Sequence, residues 1–319
     1  MVAQLQRITT LVLLFGALAW AAWFVLQGGY LLAVAGFVLI LSGYVLVLSV
    51  EFLCLALFGA DSTVSAASAR SLLRAWAHEL LYTPLVFGWR QPYRSRAEPD
   101  FLPSAASGRR GVVLVHGFLC NRGLWNPWMA TLRQHGVPFI GVNLEPPWGG
   151  IEGYVAALER AVERVRTATG QDPVVVAHSM GGLVLRAWRA AHLDRCQSLP
   201  IVTVGTPHRG TWLGRFGWSS NIRQMRASSE WLRALADREC RARYESFICF
   251  YGNCDNVVFP ASSATLEGAD NRHLEATAHV QMVYHPAVLE TVLQLVGARS
   301  SQEGRRPFEH DVVTRRRED

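Results

Sequence analysis

Ser179 lies in Asp172-Pro173-Val174-Val175-Val176-Ala177-His178-Ser179-Met180-Gly181-Gly182-Leu183-Val184, where a β-branched run feeds into a small-X-Ser-X-Gly pentad and then a helix-like stretch. A serine on such a strand-to-helix turn is held exposed at the top of a sheet as a strained nucleophile. Ala177 and Gly181, two positions to either side, let strand and helix approach without a Cβ clash. Serine at its ordinary pKa is a poor nucleophile, so the chemistry also needs a base, an acid to orient that base, and donors for a developing oxyanion.

Candidates for each role follow in order. Upstream, the apolar run Gly111-Val112-Val113-Leu114-Val115-His116-Gly117-Phe118 ends in His-Gly, which places one oxyanion N–H at Phe118 and the other at Met180, the residue after the serine. Downstream, Phe247 to Tyr251 reads as a buried strand followed by Gly252-Asn253-Cys254-Asp255, and Ala278-His279-Val280 precedes another helix. Asp255 is the expected acid and His279 the expected base. Asp255 also suits an Asx turn, with Asp270 and Glu267 as alternative acids. His273, in or before the last strand, and His285, before Pro286 at a helix start, are the alternative bases. His116 and His178 suit packing and loop geometry, and His208 suits a pocket wall or a turn.

The order Ser, Asp, His is that of the α/β-hydrolases. From about Gly111 to Ala298 the chain resembles the bacterial lipase and esterase branch of that superfamily, with a weaker similarity to the GPI-inositol deacylase group. Val204-Gly205-Thr206-Pro207-His208-Arg209-Gly210-Thr211 resembles the stretch after the sixth strand of such lipases, and Arg223 to Leu232 their downstream helix; Ala177 departs from the commoner glycine. The resemblance implies cleavage of carboxylic esters, lipid or acyl esters, through an acyl-enzyme, with no metal and no organic cofactor. The same scaffold also serves thioesterases, acyltransferases and non-catalytic receptors. The segment from Pro207 to Ser246, with Trp212, Leu213, Phe216, Trp218, Ile222, Met225, Trp231 and Leu232, reads as a mobile lid or a fixed cap. Together with Trp125 and Trp128 it favours an apolar acyl group.

Positioning these groups requires alternating elements: strand Val112 to Val115, helix Trp128 to Gln134, strand Pro138 to Asn143, helix Glu152 to Thr169, strand Val174 to Ala177, helix Gly181 to Ala191 and strand Ile201 to Val204. That alternation predicts an α/β fold, a mostly parallel sheet covered on both faces, with the active groups at the carboxyl ends of its strands.

The 319 residues carry a net charge of +6, and every basic side chain is Arg, which excludes P-loop, Schiff-base and Ser-Lys chemistry. Arg305, Arg306, Arg315, Arg316 and Arg317 fall in a polar tail that reads as disordered, not as a nucleic-acid face. Cys54, Cys120, Cys196, Cys240, Cys249 and Cys254 match no zinc spacing.

Ahead of the catalytic region, Ile8 to Leu26 and Tyr30 to Val50 are free of charge and each about long enough to span a bilayer, with Gln27-Gly28-Gly29 between them. They predict two transmembrane helices in a hairpin. Arg7 before it and Arg70, Arg74, Arg90, Arg94 and Arg96 after it predict a multi-pass inner-membrane protein with its catalytic domain in the cytoplasm. Glu51 marks the boundary, and the apolar Phe52 to Phe58 is too short to span. Ala69 to Trp89 places Leu72, Leu73, Trp76, Leu80 and Leu81 at helical spacing, which fits an interfacial helix or one packed on the catalytic domain. Gln91 to Arg110 reads as a linker. The expected organisation is an anchor at 1–60, amphipathic helix and linker at 61–110, catalytic domain at 111–298 with the insertion at about 207–246, and tail at 299–319. All candidate catalytic groups lie beyond Ala97, so a chain starting there is expected to retain activity on soluble esters.

Overall fold

In a computed structural model, described over residues 1–61, 64–106, 108–192, 199–239 and 244–297, the apolar runs become one all-parallel sheet. Its strands are β1 (Val112–Val115), β2 (Phe139–Val142), β3 (Val174–His178), β4 (Ile201–Val204), β5 (Phe247–Tyr251) and β6 (Asp270–His273), in the order β2-β1-β3-β4-β5-β6. Helices α1 (Val2–Leu26), α2 (Tyr30–Leu41), α3 (Gly43–Phe58), α4 (Ala69–Thr83) and α5 (Gln91–Arg94) precede the sheet. Within it, α6 (Asn126–Gln134) follows β1, α7 (Val155–Thr169) follows β2, and α8 (Met180–Ala191) follows β3. Between β4 and β5 lie α9 (Ser220–Gln224) and α10 (Glu230–Arg238), and after β6 come α11 (His279–Val283) and α12 (Pro286–Leu295).

Alternate strand residues build the two cores. Val113, Val115, Val175, Ala177 and Ile201 pack against Leu158, Val162 and Val165 of α7 and Leu183 and Val184 of α8. Val112, Leu114, Val174, Val176, Val202 and Val204 pack against Trp128, Met129 and Leu132 of α6 and Val288, Leu289 and Val292 of α12. Strands covered on both faces need apolar residues at successive positions, which is why these runs show no polar alternation. The edge strand β6, Asp-Asn-Arg-His, is mostly exposed, and its charges discourage edge pairing with another chain.

The second apolar run of the N-terminal segment is not one helix. α2 and α3 meet at Ser42 and Gly43 with a bend of 53°, and a Gly/Ser pair is a common cause of such a kink. The Ser42 hydroxyl donates to the Val38 carbonyl (2.6 Å), which also takes the Ser42 N–H (2.8 Å), a back-bonding that commonly bends helices. Only α1 is by itself long and apolar enough to cross a membrane among the described residues. It folds back on α2, with Trp20 Nε1 donating to the Leu32 carbonyl (2.9 Å). A Cβ on Gly36 would lie 1.9 Å from that same nitrogen, so the contact requires glycine.

Phe52 to Phe58 is not a separate apolar patch either; it is the end of α3. Phe52 and Leu55 are buried with Ala75 of α4 and with Cys254, Phe259 and Ala278 of the sheet domain, and Phe58 stacks on Trp212 at 4.4 Å. Of the two readings of the amphipathic helix, packing on the catalytic domain is the one found: Glu79 of α4 is 1% exposed. The stretch read as a linker is laid along the sheet. Gln91 and Pro92 are buried, Phe101 forms an antiparallel bridge to Phe139, and Asp100 pairs with Arg122 at 2.8 Å. Residues from Ala97 onward therefore share a core with what precedes them and are not a self-contained unit. The arginine-rich tail lies outside the described residues.

The helix α8 sits tightly on the end of β1. A Cβ on Gly181 would lie 2.6 Å from the His116 carbonyl oxygen and 2.9 Å from that of Val115, both backbone atoms that cannot step aside. Gly181→Ala is expected to lower stability by about 1–3 kcal/mol, read as a fall in the thermal or denaturant midpoint of the purified protein.

Candidate active site

Ser179 occupies the single residue between the end of β3 and the start of α8, at φ 54 and ψ −129. Positive φ costs a non-glycine residue about 1–3 kcal/mol and persists only where neighbours impose it. Here the Ser179 N–H donates to the Val204 carbonyl on β4 (2.9 Å). Gly117 of the His-Gly segment closes over the serine, since a Cβ there would be 2.8 Å from the Ser179 Cβ. The N–H groups of Phe118 and Met180 meet no protein acceptor among the described residues.

Asp255 is buried in the loop after β5 and does two things at once. Its Oδ1 accepts from the N–H groups of Val257 (2.9 Å) and Val258 (2.8 Å), the Asx-type turn that the sequence allowed. The same carboxylate accepts from His279 Nδ1, at 3.0 Å to Oδ2 and 2.9 Å to Oδ1. That bond fixes the proton on Nδ1 and leaves Nε2 with a lone pair. Burial alone would lower the His279 pKa, but the charge and hydrogen bond of Asp255, aided by the carboxylates of Glu79 and Glu51, outweigh it and hold it above its ordinary value. Gly205, at φ 55, passes beside the pair, and a Cβ there would lie 3.1 Å from both Asp255 Oδ2 and His279 Nδ1.

His178, the residue before the serine, packs on the pair. Its ring centroid is 4.6 Å from that of His279, and its Nε2 donates to the His279 carbonyl at 3.2 Å. Ser179 Oγ and His279 Nε2 have no hydrogen-bond partner among the described residues, an open geometry common in sites without substrate. Burial, then the neighbouring His279, push the His178 pKa well down, so it is a neutral spacer. His116 is neutral too, pushed down to about 4 by burial. Its Nδ1 donates to the Gly117 carbonyl (2.9 Å) and its Nε2 accepts from the Leu144 N–H (3.0 Å), which ties the oxyanion segment to the exit of β2.

The alternative residues are engaged elsewhere. Asp270 pairs with Arg272 on the exposed edge strand (2.7 Å), Glu267 is exposed, and His273 packs on Tyr251. His285 caps α12, its Nδ1 accepting from the Ala287 N–H at 3.3 Å. His208 is a core residue, bonded to Thr203 Oγ1 at 3.1 Å. Trp125 and Trp128 are core as well, fully buried and edge to face, so the acyl wall they suggested is not theirs. The insertion is tied to its surroundings at several points. The buried Arg186–Glu239 pair (2.5 Å) fixes the end of α10, Arg186 also donates to the His208 carbonyl (2.7 Å), and Asn221 donates to the Pro147 carbonyl (2.8 Å).

Among the described residues no three His, Cys, Asp or Glu side chains are arranged to hold a metal ion. Cys54, Cys120, Cys249 and Cys254 are free thiols, and burial pushes the Cys120 thiol up to about 12, which removes it as a nucleophile. Cys196 and Cys240 lie outside the described residues. Four residues around the site were not read from the sequence as part of it. Asn256 Oδ1 accepts from the His279 N–H (3.2 Å) and Asn256 Nδ2 donates to Glu51 Oε2 (2.7 Å). Glu79 holds the next two N–H groups of α11, and Gln91 Oε1 accepts from the Asn121 N–H beyond the oxyanion segment (2.8 Å). Adjacency to Asp255 points to Asn256. Glu51 and Glu79 reach the site across some two hundred residues of sequence, which no spacing rule covers.

A profile of the alpha/beta hydrolase family matches residues 112–300. Among solved structures the chain is similar to lipase B of Aspergillus fumigatus, with 18% identity and a TM-score of 0.54, covering 62% of this chain and 56% of that one. It is also similar to the mature lipase BlEst2 of Bacillus licheniformis, with 15% identity and a TM-score of 0.51, covering 60% of this chain and 93% of that one. No curated protein matches the chain.

Because Asp255 supplies the largest upward influence on His279, Asp255→Asn is expected to move the imidazole titration to lower pH. Histidine nitrogen chemical shifts followed against pH in the two proteins measure the displacement.

Proposed function

The chain belongs to the alpha/beta hydrolase family, and from that premise we propose that it is a membrane-anchored serine hydrolase that cleaves carboxylic esters of lipid or acyl type. The observation that carries this reading is the positive-φ Ser179 between β3 and α8, beside a buried Asp255–His279 pair whose Nε2 is unengaged. In the proposed reaction the Ser179 hydroxyl gives its proton to His279 Nε2 while Oγ attacks the ester carbonyl carbon. The oxyanion formed is received by the N–H groups of Phe118 and Met180, and Asp255 stabilises the imidazolium. Collapse breaks the bond to the alkoxy group, which leaves as the alcohol with the proton from His279. Water, deprotonated by the same imidazole, then releases the acid. The names of the two similar structures, both lipases, support an ester substrate.

The lipid context rests on the N-terminal segment. The outer faces of α1 and α2 are apolar and exposed, including Phe15, Trp23, Leu31 and Leu39, which a core helix of a water-soluble fold does not permit. In this reading α1 forms one span, and α2 with the first turns of α3 forms a second, bent one. Both ends return to the sheet domain: Gln6 Nε2 donates to the Leu119 carbonyl (2.9 Å), Arg7 to the Pro92 carbonyl (2.9 Å), and Glu51 accepts from Asn256. With Arg7, Arg70, Arg74, Arg90, Arg94 and Arg96 on that side, the positive-inside rule puts the catalytic domain in the cytoplasm. Phe216 and Trp218, 69% and 81% exposed on the cap, support a surface that meets lipid.

Ser179→Ala is expected to abolish covalent labelling by a fluorophosphonate and to lower turnover of a soluble ester by about three orders of magnitude or more in a folded protein. His279→Ala should approach that loss, and Asp255→Asn should cost roughly tenfold to a hundredfold less. Undiminished turnover by folded Ser179→Ala contradicts the assignment. For topology, carboxyl-terminal fusions to a fluorescent protein and to alkaline phosphatase should give fluorescence without phosphatase activity. Strong phosphatase activity would place the domain on the other face.

A further inference from the structure

The backbone N–H groups that open the turn carrying the candidate base all have acceptors, and several of those acceptors come from outside the sheet domain. The first N–H groups of a helix have no partner within it. At α11 the preceding residue is Ala278, whose methyl group cannot cap them. The His279 N–H is taken by Asn256 Oδ1 (3.2 Å), and Asn256 Nδ2 is in turn fixed by Glu51 Oε2 of α3 (2.7 Å). The Val280 and Gln281 N–H groups are taken by the two oxygens of one carboxylate, Glu79 Oε1 (2.9 Å) and Oε2 (3.1 Å), from α4. On the far side His178 Nε2 donates to the His279 carbonyl (3.2 Å), and Asp255 holds Nδ1. Among the described residues, Nε2 is the one polar atom of His279 without a protein partner.

We propose that Glu79, seconded by Glu51 through Asn256, is a positioning residue for the base of the active site, so that the N-terminal helices form a working part of the catalytic centre. This rests on the hydrolase reading of Ser179 and His279. A carboxylate 1% exposed is costly to bury and is kept in place only by strong donors; here those donors are the backbone of the turn itself. The pair of bonds fixes where His279 begins its helix and hence where Nε2 points, and an error of about 1 Å in such a placement costs on the order of a hundredfold in rate. The negative charge also offsets the positive end of the α11 dipole, which would otherwise oppose protonation of the imidazole. The charged or titratable groups facing His279 are Asp255 from the loop after β5, His178 from β3, Glu51 from α3 and Glu79 from α4, and those facing Glu79 also include Tyr82. Burial raises Glu79 to about 7 against the lowering effect of its two backbone bonds, so its charge changes across the pH range in which the enzyme would work.

The test uses full-length protein in detergent micelles, with p-nitrophenyl butyrate as substrate and a fluorophosphonate as covalent probe. Wild type and Glu79→Gln, Glu79→Asp, Glu79→Ala and Glu51→Gln are compared, with Ser179→Ala as the control for the nucleophile. For Glu79→Gln, at unchanged melting temperature, kcat and the rate constant of labelling are expected to fall about tenfold or more with KM within twofold, and the acidic limb of kcat/KM to move to lower pH. Glu79→Asp should restore part of the rate and the position of the limb; Glu51→Gln should show the same pattern more weakly. Labelling of wild type at Ser179 together with a Glu79→Gln enzyme within twofold of wild type and an unmoved limb overturns the proposal while leaving the hydrolase reading standing. A loss of activity matched by loss of folded protein, with the remaining folded enzyme normal in kcat and pH profile, also overturns it. Wild type that does not label at all removes both readings.

Discussion

The constraint on which the site depends is that one residue, Ser179, carries the whole reversal from β3 into α8 at a backbone conformation that serine disfavours. Its surroundings are the conditions under which that conformation is held. The Val204 carbonyl takes its N–H, Gly117 lies over its Cβ, Gly181 lets α8 sit against β1, and Gly205 clears the space beside Asp255 and His279. These contacts come from neighbouring parallel strands in register, so the sheet is the device that brings distant loops to one edge. The neutral histidines His116 and His178 belong to the same scaffold: both are buried, His116 ties two backbone groups through its two ring nitrogens, and His178 holds the His279 carbonyl through Nε2.

The N-terminal helices alter what the sheet domain is. Glu51, Glu79 and Gln91 each satisfy polar groups in loops that the sheet leaves unfinished, and Phe52, Leu55 and Phe58 bury apolar surface against Phe259, Ala278 and Trp212. A tether would need none of these contacts. On the proposed membrane reading, a segment joined in this way would hold the carboxyl edge of the sheet at a fixed height above the bilayer.

The sheet, the pentad and the residues of the proposed triad were legible in the sequence because each depends on local pattern: β-branched runs, small residues at fixed offsets, and chain order. The kink at Ser42 and Gly43 was hidden inside an uninterrupted apolar run, since hydrophobicity records solvent and not direction. Gln91 to Arg110 looked like a linker because Pro and Ser mark irregular backbone, yet irregular backbone still packs, as Phe101 does on Phe139. Trp125 and Trp128 were aromatic residues near a site and proved to be core, where burial of large rings yields more than display at a pocket. Glu79 lies in the stretch read as an amphipathic helix, where nothing set it apart; its partners are backbone N–H groups two hundred residues away, and backbone groups leave no mark in a sequence.

The central claim is that catalysis passes through an ester formed on Ser179. The most direct measurement is peptide mass spectrometry after rapid acid quench of the full-length protein during turnover of a p-nitrophenyl acyl ester. The account predicts that the mass of the acyl group, less one water relative to the free acid, appears on the peptide containing Ser179 and is absent from Ser179→Ala. Steady turnover with the acyl group on another residue, or with no adduct at Ser179 at quench times shorter than one catalytic cycle, would contradict it.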